Sequence, residues 1–348
     1  MRILSALTPC HAHRERDRLT ADLRAGRPAV PRWTYAARPH DDLRRALATA
    51  ESVLERDQRS PLESLYLDRV RELSIEAAMC AAAGSDRVSD LARLRFGPRD
   101  GRDARVAGVA SALSRDWLAE PPPSAGGSTI VSDDPDPRSL LSRMGAAVGR
   151  LRLPFTVVAT PWLAPLAATG ERVILVATGR LVPEEDATRT VLHEIEGHAR
   201  PRARSAFTPL AHFRVGTARG VDDQEGRAVL LEERAGLLRP RRRRQLAARH
   251  WAVETMLAGA CFPEVASALT REHGLDAAEA VIIAERAFRG ADGTRPGLGR
   301  ERVYLESYLR VSEHLEEHPD DEDIMASGQI AVDALETLRH CLAAHTPD

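Results

Sequence analysis

The sequence has no lysine: all 49 of its Lys and Arg residues are arginine, against 51 acidic residues. This absence excludes the lysine of a phosphate-binding P-loop and a lysine that forms a Schiff base. Any cationic side chain that binds a substrate must therefore be a guanidinium, which is planar and can pair with a carboxylate through two hydrogen bonds. The formal net charge of −2 also leaves no overall positive field to favour nucleic acid or an anionic membrane.

Cysteine is scarce, and no apolar run is long. The cysteines are scattered without a C-x-x-C pair, so neither a disulfide framework nor a cysteine zinc site is predicted, and reduced thiols in a cytoplasmic protein are expected. No stretch approaches the roughly 18 apolar residues of a membrane-spanning helix, and the N-terminal apolar run is too short for a signal peptide. We therefore expect a cytoplasmic protein without a membrane partner. The four cysteines are Cys10, Cys80, Cys261 and Cys341.

A basic run, "RPRRRR", occupies residues 239–244. One hypothesis is a patch that binds nucleic acid or an acidic partner. The other is the solvated start of a helix. No aromatic residues interleave the arginines, as binding of a single nucleic-acid strand would require. We favour the helix start and expect no nucleic-acid partner.

Apolar residues recur at helical spacing in the first third of the chain and again in its second half. Between these parts, "AEPPPSAGGST" predicts a linker at about 119–128, and "STIVSDD", "FTVVATP" and "RVILVAT" predict short strands. The segment "EEDATRTVLHEIEGHA" then reads as a helix, followed by helices at about 223–236, 241–259, 263–272, 276–288, 301–316 and 323–343. This order predicts a predominantly helical α+β fold. An N-terminal helical region (1–122) would precede a zincin-like zinc metallopeptidase domain with a small sheet (128–348).

The stretch "VLHEIEGHARP" at 191–201 comes close to the H-E-x-x-H pattern of zinc peptidases, but His193 and His198 are five residues apart. On an ideal α-helix, that separation leaves the two side chains about 140° apart. A π-bulge absorbs one extra residue, and such bulges are frequent at functional sites. Gly197 would ease the distortion. We therefore predict a locally widened turn that brings the histidines together and leaves Glu194 beside the open coordination position.

A catalytic zinc takes three protein ligands and keeps one position open. Downstream, "VDDQEGRAVLLEE" offers Glu225 near a helix start, with Asp222 or Asp223 as the N-cap. His212 and Glu232 are competitors for the third ligand. Two histidines, a glutamate and water form a hydrolytic zinc set, and Glu194 would be the general base that takes the proton of the water.

The pair of motifs "HEIEGHA" and "QEGRAVLLEE" resembles the QEGLA-motif family. That family includes bacterial flavohemoglobin expression-modulating QEGLA-motif proteins and animal microtubule-associated tyrosine carboxypeptidases, which remove the C-terminal tyrosine of tubulin. The resemblance covers roughly 60–340. It implies zinc bound by His193, His198 and Glu225, with Glu194 as the catalytic acid and base.

A later block, "ERAFRGADGTRPGLGRERVYLESYLRV", also matches the family pattern, through Arg286, Phe288, Arg289, Gly290 and Tyr304. The chain departs from the family elsewhere. Arg227 replaces a leucine of the QEGLA motif, Arg300 and Glu301 replace a lysine and an aspartate, Ser307 replaces a glycine, and Gln329 replaces a lysine. None of these is an expected metal ligand, so we expect the departures to affect the substrate side.

Hydrolysis of an amide develops negative charge on the carbonyl oxygen, which the metal and a nearby donor stabilise. Tyr304 and Arg289 are the candidate donors. A carboxypeptidase also needs a cation for the terminal carboxylate of its substrate, and Arg286, Arg289 or Arg300 could supply it.

The sequence therefore predicts a zinc metallopeptidase of the HExxxH type. The leading hypothesis is a carboxypeptidase that removes a C-terminal residue, an aromatic one being the first candidate, by Glu-assisted attack of zinc-bound water. One alternative is an amidase or a pathway-dedicated peptidase that trims a specific small peptide or conjugate. Another is a non-catalytic regulatory protein that contains zinc, although such a protein would have no use for Glu194.

Overall fold

The computed structural model describes residues 3–36, 40–56, 60–122, 128–161 and 163–343. The fold is predominantly helical with little sheet, which confirms the predicted α+β class. None of the helices in the described ranges is long and apolar enough to cross a membrane. The helices before the first strand are α1 (Ile3–Ala6), α2 (Ala12–Arg24), α3 (Asp41–Arg56), α4 (Pro61–Ala81), α5 (Arg87–Phe96) and α6 (Gly101–Ala119).

The strands of the described residues lie in the middle of the chain, with helices among and after them. In order they are β1 (Thr129–Val131), α7 (Leu140–Arg150), β2 (Thr156–Thr160), β3 (Ala167–Thr169), β4 (Val173–Ala177), β5 (Leu181–Pro183) and α8 (Glu184–Leu192). A π-helical segment, His193–Ala199, continues α8 and leads into α9 (Arg200–Arg204), α10 (His212–Val215) and α11 (Gly220–Arg234). The remaining helices are α12 (Pro240–Leu257), α13 (Phe262–Arg271), α14 (Ala277–Phe288), α15 (Val303–Glu317), α16 (Asp321–Met325) and α17 (Leu335–Ala343).

The chain divides into two compact units. The helical unit comprises Met1–Pro122 and Pro240–Glu306, and the sheet unit comprises Pro123–Arg239 and Ser307–Asp348. Residues 240–306 thus group with the N-terminal helices, and the division into 1–122 and a catalytic domain at 128–348 stays a prediction. Of the predicted linker at 119–128, residues 123–127 lie outside the described residues.

The sheet unit is built on a three-stranded sheet with the order β2-β4-β3 and on a separate antiparallel pair of β1 with β5. Strand β4 runs parallel to β2 and antiparallel to β3. The apolar core of the unit joins β4 and β5 to helix α7 and to the π-helical segment, which buries Ile195 and Ala199 in it. The segment that carries the histidines therefore rests on the sheet. Other members of this core are Leu140, Met144, Ile174, Val176 and Val182.

Two predicted helix boundaries in the sheet unit are wrong. Helix α11 begins at Gly220 after a left-handed Arg219, so Asp222 and Asp223 lie in its first turn and neither is the N-cap. The segment predicted as one helix at 323–343 is split between α16 and α17. The chain passes so close to α10 there that a Cβ on Gly328 would lie 2.7 Å from the carbonyl oxygen of Phe213.

In the helical unit, two arginines of the basic run hold helices together. Arg243 pairs with Glu120 at 2.8 Å, and Arg244 donates to the backbone carbonyls of Leu118 and Glu120. Because Arg243 and Arg244 lie on α12 and these partners lie at the end of α6, the run links two helices that are distant in sequence.

Candidate metal centre

The segment His193–Ala199 is wound as a π-helix. A π-helix closes its hydrogen bonds from residue i to residue i+5, so residues five apart lie on the same side of it. The widened turn predicted from the H-E-x-x-x-H spacing is therefore confirmed. It places the rings of His193 and His198 with their centroids 5.0 Å apart.

The two imidazoles and the carboxylate of Glu225 form a group of potential metal ligands whose donor atoms lie within 4.8 Å of one another. Glu225 Oε2 lies 3.4 Å from Nε2 of His193 and 3.6 Å from Nε2 of His198. Tetrahedral ligands bound at about 2.0–2.2 Å from a zinc ion are separated by about 3.3–3.6 Å. The donor types and these spacings therefore fit zinc.

The other ring nitrogen of each histidine has its own acceptor. Nδ1 of His193 lies 2.7 Å from Oε1 of Glu232, and Nδ1 of His198 lies 3.0 Å from Oε1 of Gln224. Because a carboxylate and an amide oxygen can only accept, each Nδ1 carries a proton, and it is the Nε2 atom of each ring that faces Glu225. Such partners orient the ligands of metal sites and fix their tautomer.

Glu232, which the sequence left open as the third ligand, therefore accepts a hydrogen bond from His193 instead of facing the metal position. It is fully buried on α11, supports His193 from behind, and lies 3.5 Å from Nη1 of Arg189. His212, the other competitor, lies on α10, and within the described ranges it is not part of the ligand group. Sequence reasoning missed the contact of Gln224 with His198. It also missed the hydrogen bond of 3.3 Å that Nε2 of Gln329 donates to Oε1 of Gln224.

The electrostatics of the site favour positive charge. Burial opposes the charged form of His193, yet its hydrogen bonds with Glu225 and Glu232 outweigh burial and raise its pKa to about 9. The pKa of His198 is raised in the same way, against burial, by Glu225. A metal cation that binds here would replace these protons and satisfy the same carboxylates.

Glu194 is buried next to His193 and does not belong to the ligand group of the described residues. Its Oε2 accepts a hydrogen bond of 2.7 Å from the hydroxyl of Thr169, at the end of strand β3. One carboxylate oxygen is thereby anchored to the sheet. Thr169 is a further residue that sequence reasoning missed, because β3 is only three residues long and carries little strand signal.

Two glycines allow the helices of this site to approach closely. A Cβ on Gly197 would lie 2.6 Å from the Cβ of Ala228, so glycine is needed where the π-helical segment meets α11. A Cβ on Gly226 would lie 2.3 Å from the backbone of Ser307, where α15 crosses α11. Close helix approach, rather than freedom to distort, is therefore the visible role of Gly197.

Asp223 holds the start of α11 in place. It is fully buried, accepts from Nε of Arg310 at 3.0 Å, and accepts from the backbone N–H of Val332 at 2.9 Å. We expect Asp223→Ala to lower the free energy of unfolding by about 3–5 kcal/mol, because it leaves a buried guanidinium without its counterion. Urea denaturation measures this loss.

The control is Asp333→Ala, which removes a half-exposed partner of Arg219 at 3.4 Å. A pair of that kind contributes about 1 kcal/mol or less. Equal losses of unfolding free energy in the two variants would show that the buried Asp223–Arg310 pair stabilises the protein no more than the Asp333–Arg219 pair does.

The arginines and the tyrosine predicted to meet the substrate all lie in the helical unit. Nε of Arg286 is 3.1 Å from Glu301, and Nε of Arg249 is 3.7 Å from the same carboxylate. The guanidinium carbons of Arg249 and Arg300 lie 5.4 and 6.0 Å from the ring centroid of Tyr304. The structure thus brings Arg286, Arg300 and Tyr304 together around Glu301 and adds Arg249, which no sequence signal indicated.

Arg289 belongs to the same region and is 5% exposed. No acidic side chain in the described part of the chain pairs with it, and its Nε has no hydrogen-bond partner there. Burial, and then the charge of Arg286, lower its pKa. The same two causes lower the pKa of Arg249 to about 9. The charges of Glu301 and Glu285 act on the pKa of Arg289 in the opposite direction, but neither carboxylate pairs with it directly. A buried guanidinium that no carboxylate contacts is expected to attract an anion.

Two histidines and a glutamate as ligands, with a second glutamate next to the first histidine, are the donor arrangement of hydrolytic zinc enzymes. The chain belongs to the microtubule-associated tyrosine carboxypeptidase family, whose profile matches residues 23–346. This confirms the resemblance seen in the two motifs and places the chain in a family of peptidases. No curated protein matches the chain.

Proposed function

We propose that this protein is a zinc-dependent metallopeptidase, and that it acts as a carboxypeptidase on peptide or protein C-termini in the cytoplasm. The observation that carries the proposal is the convergence of His193 and His198, on the π-helical segment, with Glu225 of α11, while Glu194 is anchored beside them. A structural zinc site would need no such carboxylate. Family membership supports the carboxypeptidase reading.

In this proposal, His193, His198 and Glu225 hold the zinc, which when bound polarises the attacked carbonyl and lowers the pKa of the attacking water. Glu194 takes a proton from that water and later gives it to the leaving amine. Thr169 keeps one oxygen of Glu194 fixed, so the other oxygen is the one free to exchange the proton. Glu232 and Gln224 keep each Nε2 pointed at the metal position.

For the substrate, we assign Arg286 and Arg300 to binding of the terminal carboxylate, and Tyr304 and Arg289 to the developing charge of the attacked carbonyl. Arg289 is also a candidate for the carboxylate. The support is the buried, unpaired guanidinium of Arg289 and the absence of lysine from the chain. The name of the family points to a C-terminal tyrosine, so an aromatic C-terminal residue is the first substrate to try.

The proposal is tested with peptide libraries incubated with the zinc-loaded protein and read by mass spectrometry. We expect products that are shorter by one C-terminal residue. Internal cleavage would favour an endopeptidase, and cleavage confined to amide-linked conjugates would favour an amidase. Absence of any product from a protein that does bind zinc would favour a non-catalytic zinc protein.

The ligand assignment makes a separate prediction. We expect one zinc per chain. Substitution of His193, His198 or Glu225 by alanine should lower the zinc content clearly, because only two of the three protein ligands would then remain. Metal analysis of the purified proteins measures the stoichiometry, with His212→Ala as the control that keeps its zinc. An unchanged zinc stoichiometry in Glu225→Ala would refute the assignment and would favour His212 or Glu232 as the third ligand.

A further inference from the structure

One carbonyl of the π-helical segment, that of Glu196, lacks the backbone donor that regular helical winding supplies. In a π-helix, the oxygen of Glu196 would accept from the N–H of residue 201, but that residue is Pro201, which has none. In an α-helix the same oxygen would accept from the N–H of Arg200. That N–H instead bonds to the oxygen of Ile195. The oxygen of Glu196 therefore needs a partner from elsewhere.

Arg227 supplies the partner. Its Nη1 donates to the oxygen of Glu196 at 3.1 Å, and its side chain lies largely buried on α11. Glu322 holds the guanidinium in place, with 2.7 Å between its Oε1 and Nε of Arg227. Arg234 approaches the same carboxylate at 3.2 Å, and among the described residues it makes no hydrogen bond or ion pair with the π-helical segment.

This contact decides between two ways of winding the segment. The N–H of Arg200 can bond to the oxygen of Ile195, which gives the π-helix, or to the oxygen of Glu196, which gives an α-helix. By donating to the oxygen of Glu196, Arg227 gives this carbonyl a hydrogen bond that the π-helical winding does not supply, and so lowers the cost of that winding. In the α-helical alternative, His193 and His198 would lie about 140° apart and could not share a metal.

We propose that Arg227 is a positioning residue of the metal centre, which holds His198 in line with His193 by stabilising the π-helical winding next to Pro201. Arg227 was expected from the sequence to act on the substrate side. The inference rests on the proposed function only in that His193, His198 and Glu225 bind zinc. It makes no claim about the reaction.

The first test is zinc affinity, measured by competition with a chelator. We expect Arg227→Met to weaken zinc binding by about 10–100-fold, the usual effect of losing support behind a metal ligand. The matched control, Arg234→Met, removes the other partner of Glu322 and should stay within about threefold of the unsubstituted protein, because exposed ion pairs contribute little. Urea denaturation of each variant checks the fold, and Arg227→Gln replaces Arg227→Met if the latter does not fold.

The second test separates the carbonyl contact from the ion pair with Glu322. Pro201→Ala provides the missing N–H, so it should restore most of the zinc affinity lost in Arg227→Met. An equal loss with and without Pro201→Ala would mean that Arg227 acts through Glu322, and the proposal would be wrong. Zinc affinity unchanged in Arg227→Met would overturn it as well.

A third measurement does not need zinc. In the metal-free protein, the amide of Arg200 should exchange its hydrogen faster in Arg227→Met than in the unsubstituted chain, because a π-helical segment whose Glu196 carbonyl has lost its donor opens more often. Hydrogen exchange followed by mass spectrometry of peptides that cover 194–202 reports this. If the unsubstituted protein binds no zinc, the proposed function fails, and the exchange rates alone still decide the role of Arg227.

Discussion

Substitution of Glu194 by glutamine is expected to lower peptide hydrolysis by on the order of 100-fold or more, while zinc content and fold stay unchanged. That is the scale of general acid–base catalysis by one positioned side chain. Glutamine has nearly the same shape and can still accept the hydrogen bond from Thr169, but it cannot take a proton from water. Because Glu194 lies outside the ligand group found among the described residues, zinc should be retained.

The matched control is Glu196→Gln, two residues further along the same π-helical segment. The carboxylate of Glu196 pairs with the half-exposed Arg200 at 2.8 Å, so its loss should change activity by less than about threefold. Rates are measured on the best peptide of the library, with zinc content determined on the same samples. Full hydrolytic activity in Glu194→Gln would show that Glu194 is not the general base of the reaction.

The metal ligands and the π-helical turn were within reach of sequence reasoning because they obey a local rule. His193 and His198 are five positions apart, so their rings come together only if the helix absorbs one extra residue. Glu225 was harder, since its competitor Glu232 lies two turns further along α11. Only the structure shows that Glu225 faces both Nε2 atoms whereas Glu232 faces Nδ1 of His193.

The supporting contacts could not be predicted, because each joins elements that are distant in sequence. Thr169 reaches Glu194 from a three-residue strand, and Gln329 reaches Gln224 from the turn after α16. No periodicity marks such pairs. Arg227 differs from these, because the sequence showed that it departs from the family motif but not that it contacts the carbonyl of Glu196. The need for a donor at Glu196 follows from Pro201, but which side chain meets it depends on how α11 packs.

The fold class was predictable from the helical periodicity, whereas the grouping of its helices was not. Residues 240–306 carry the same apolar spacing as other helical segments, yet they form one unit with the first 122 residues. Amphipathic spacing shows that a helix has a buried face, and it does not show which neighbour covers that face. The arginines assigned to the substrate consequently lie in a different unit from the metal ligands.

Amidation of the C-terminus of a good peptide substrate is expected to cost about 2–4 kcal/mol of transition-state binding, or roughly 30- to 1000-fold in kcat/KM. The prediction depends on the proposed binding of a terminal carboxylate by arginine. Arg289 is buried without an acidic partner in the described part of the chain, and it is therefore the guanidinium with most to gain from a substrate carboxylate. An amide at the C-terminus carries no charge and would leave that guanidinium unpaired.

Arg289→Ala should then lower the cleavage of free-acid peptides strongly and that of amidated peptides much less, so that the two substrates become similar. The control is Arg241→Ala, an exposed arginine at the start of α12, which should preserve the preference for the free acid. The ratio of kcat/KM for the two forms of one peptide is the quantity to compare, because a general loss of stability would lower both values together. Equal cleavage of both forms by the unsubstituted protein would refute the carboxypeptidase proposal and favour an endopeptidase or an amidase. If the preference for the free acid survives Arg289→Ala, Arg286 or Arg300 binds the terminal carboxylate instead.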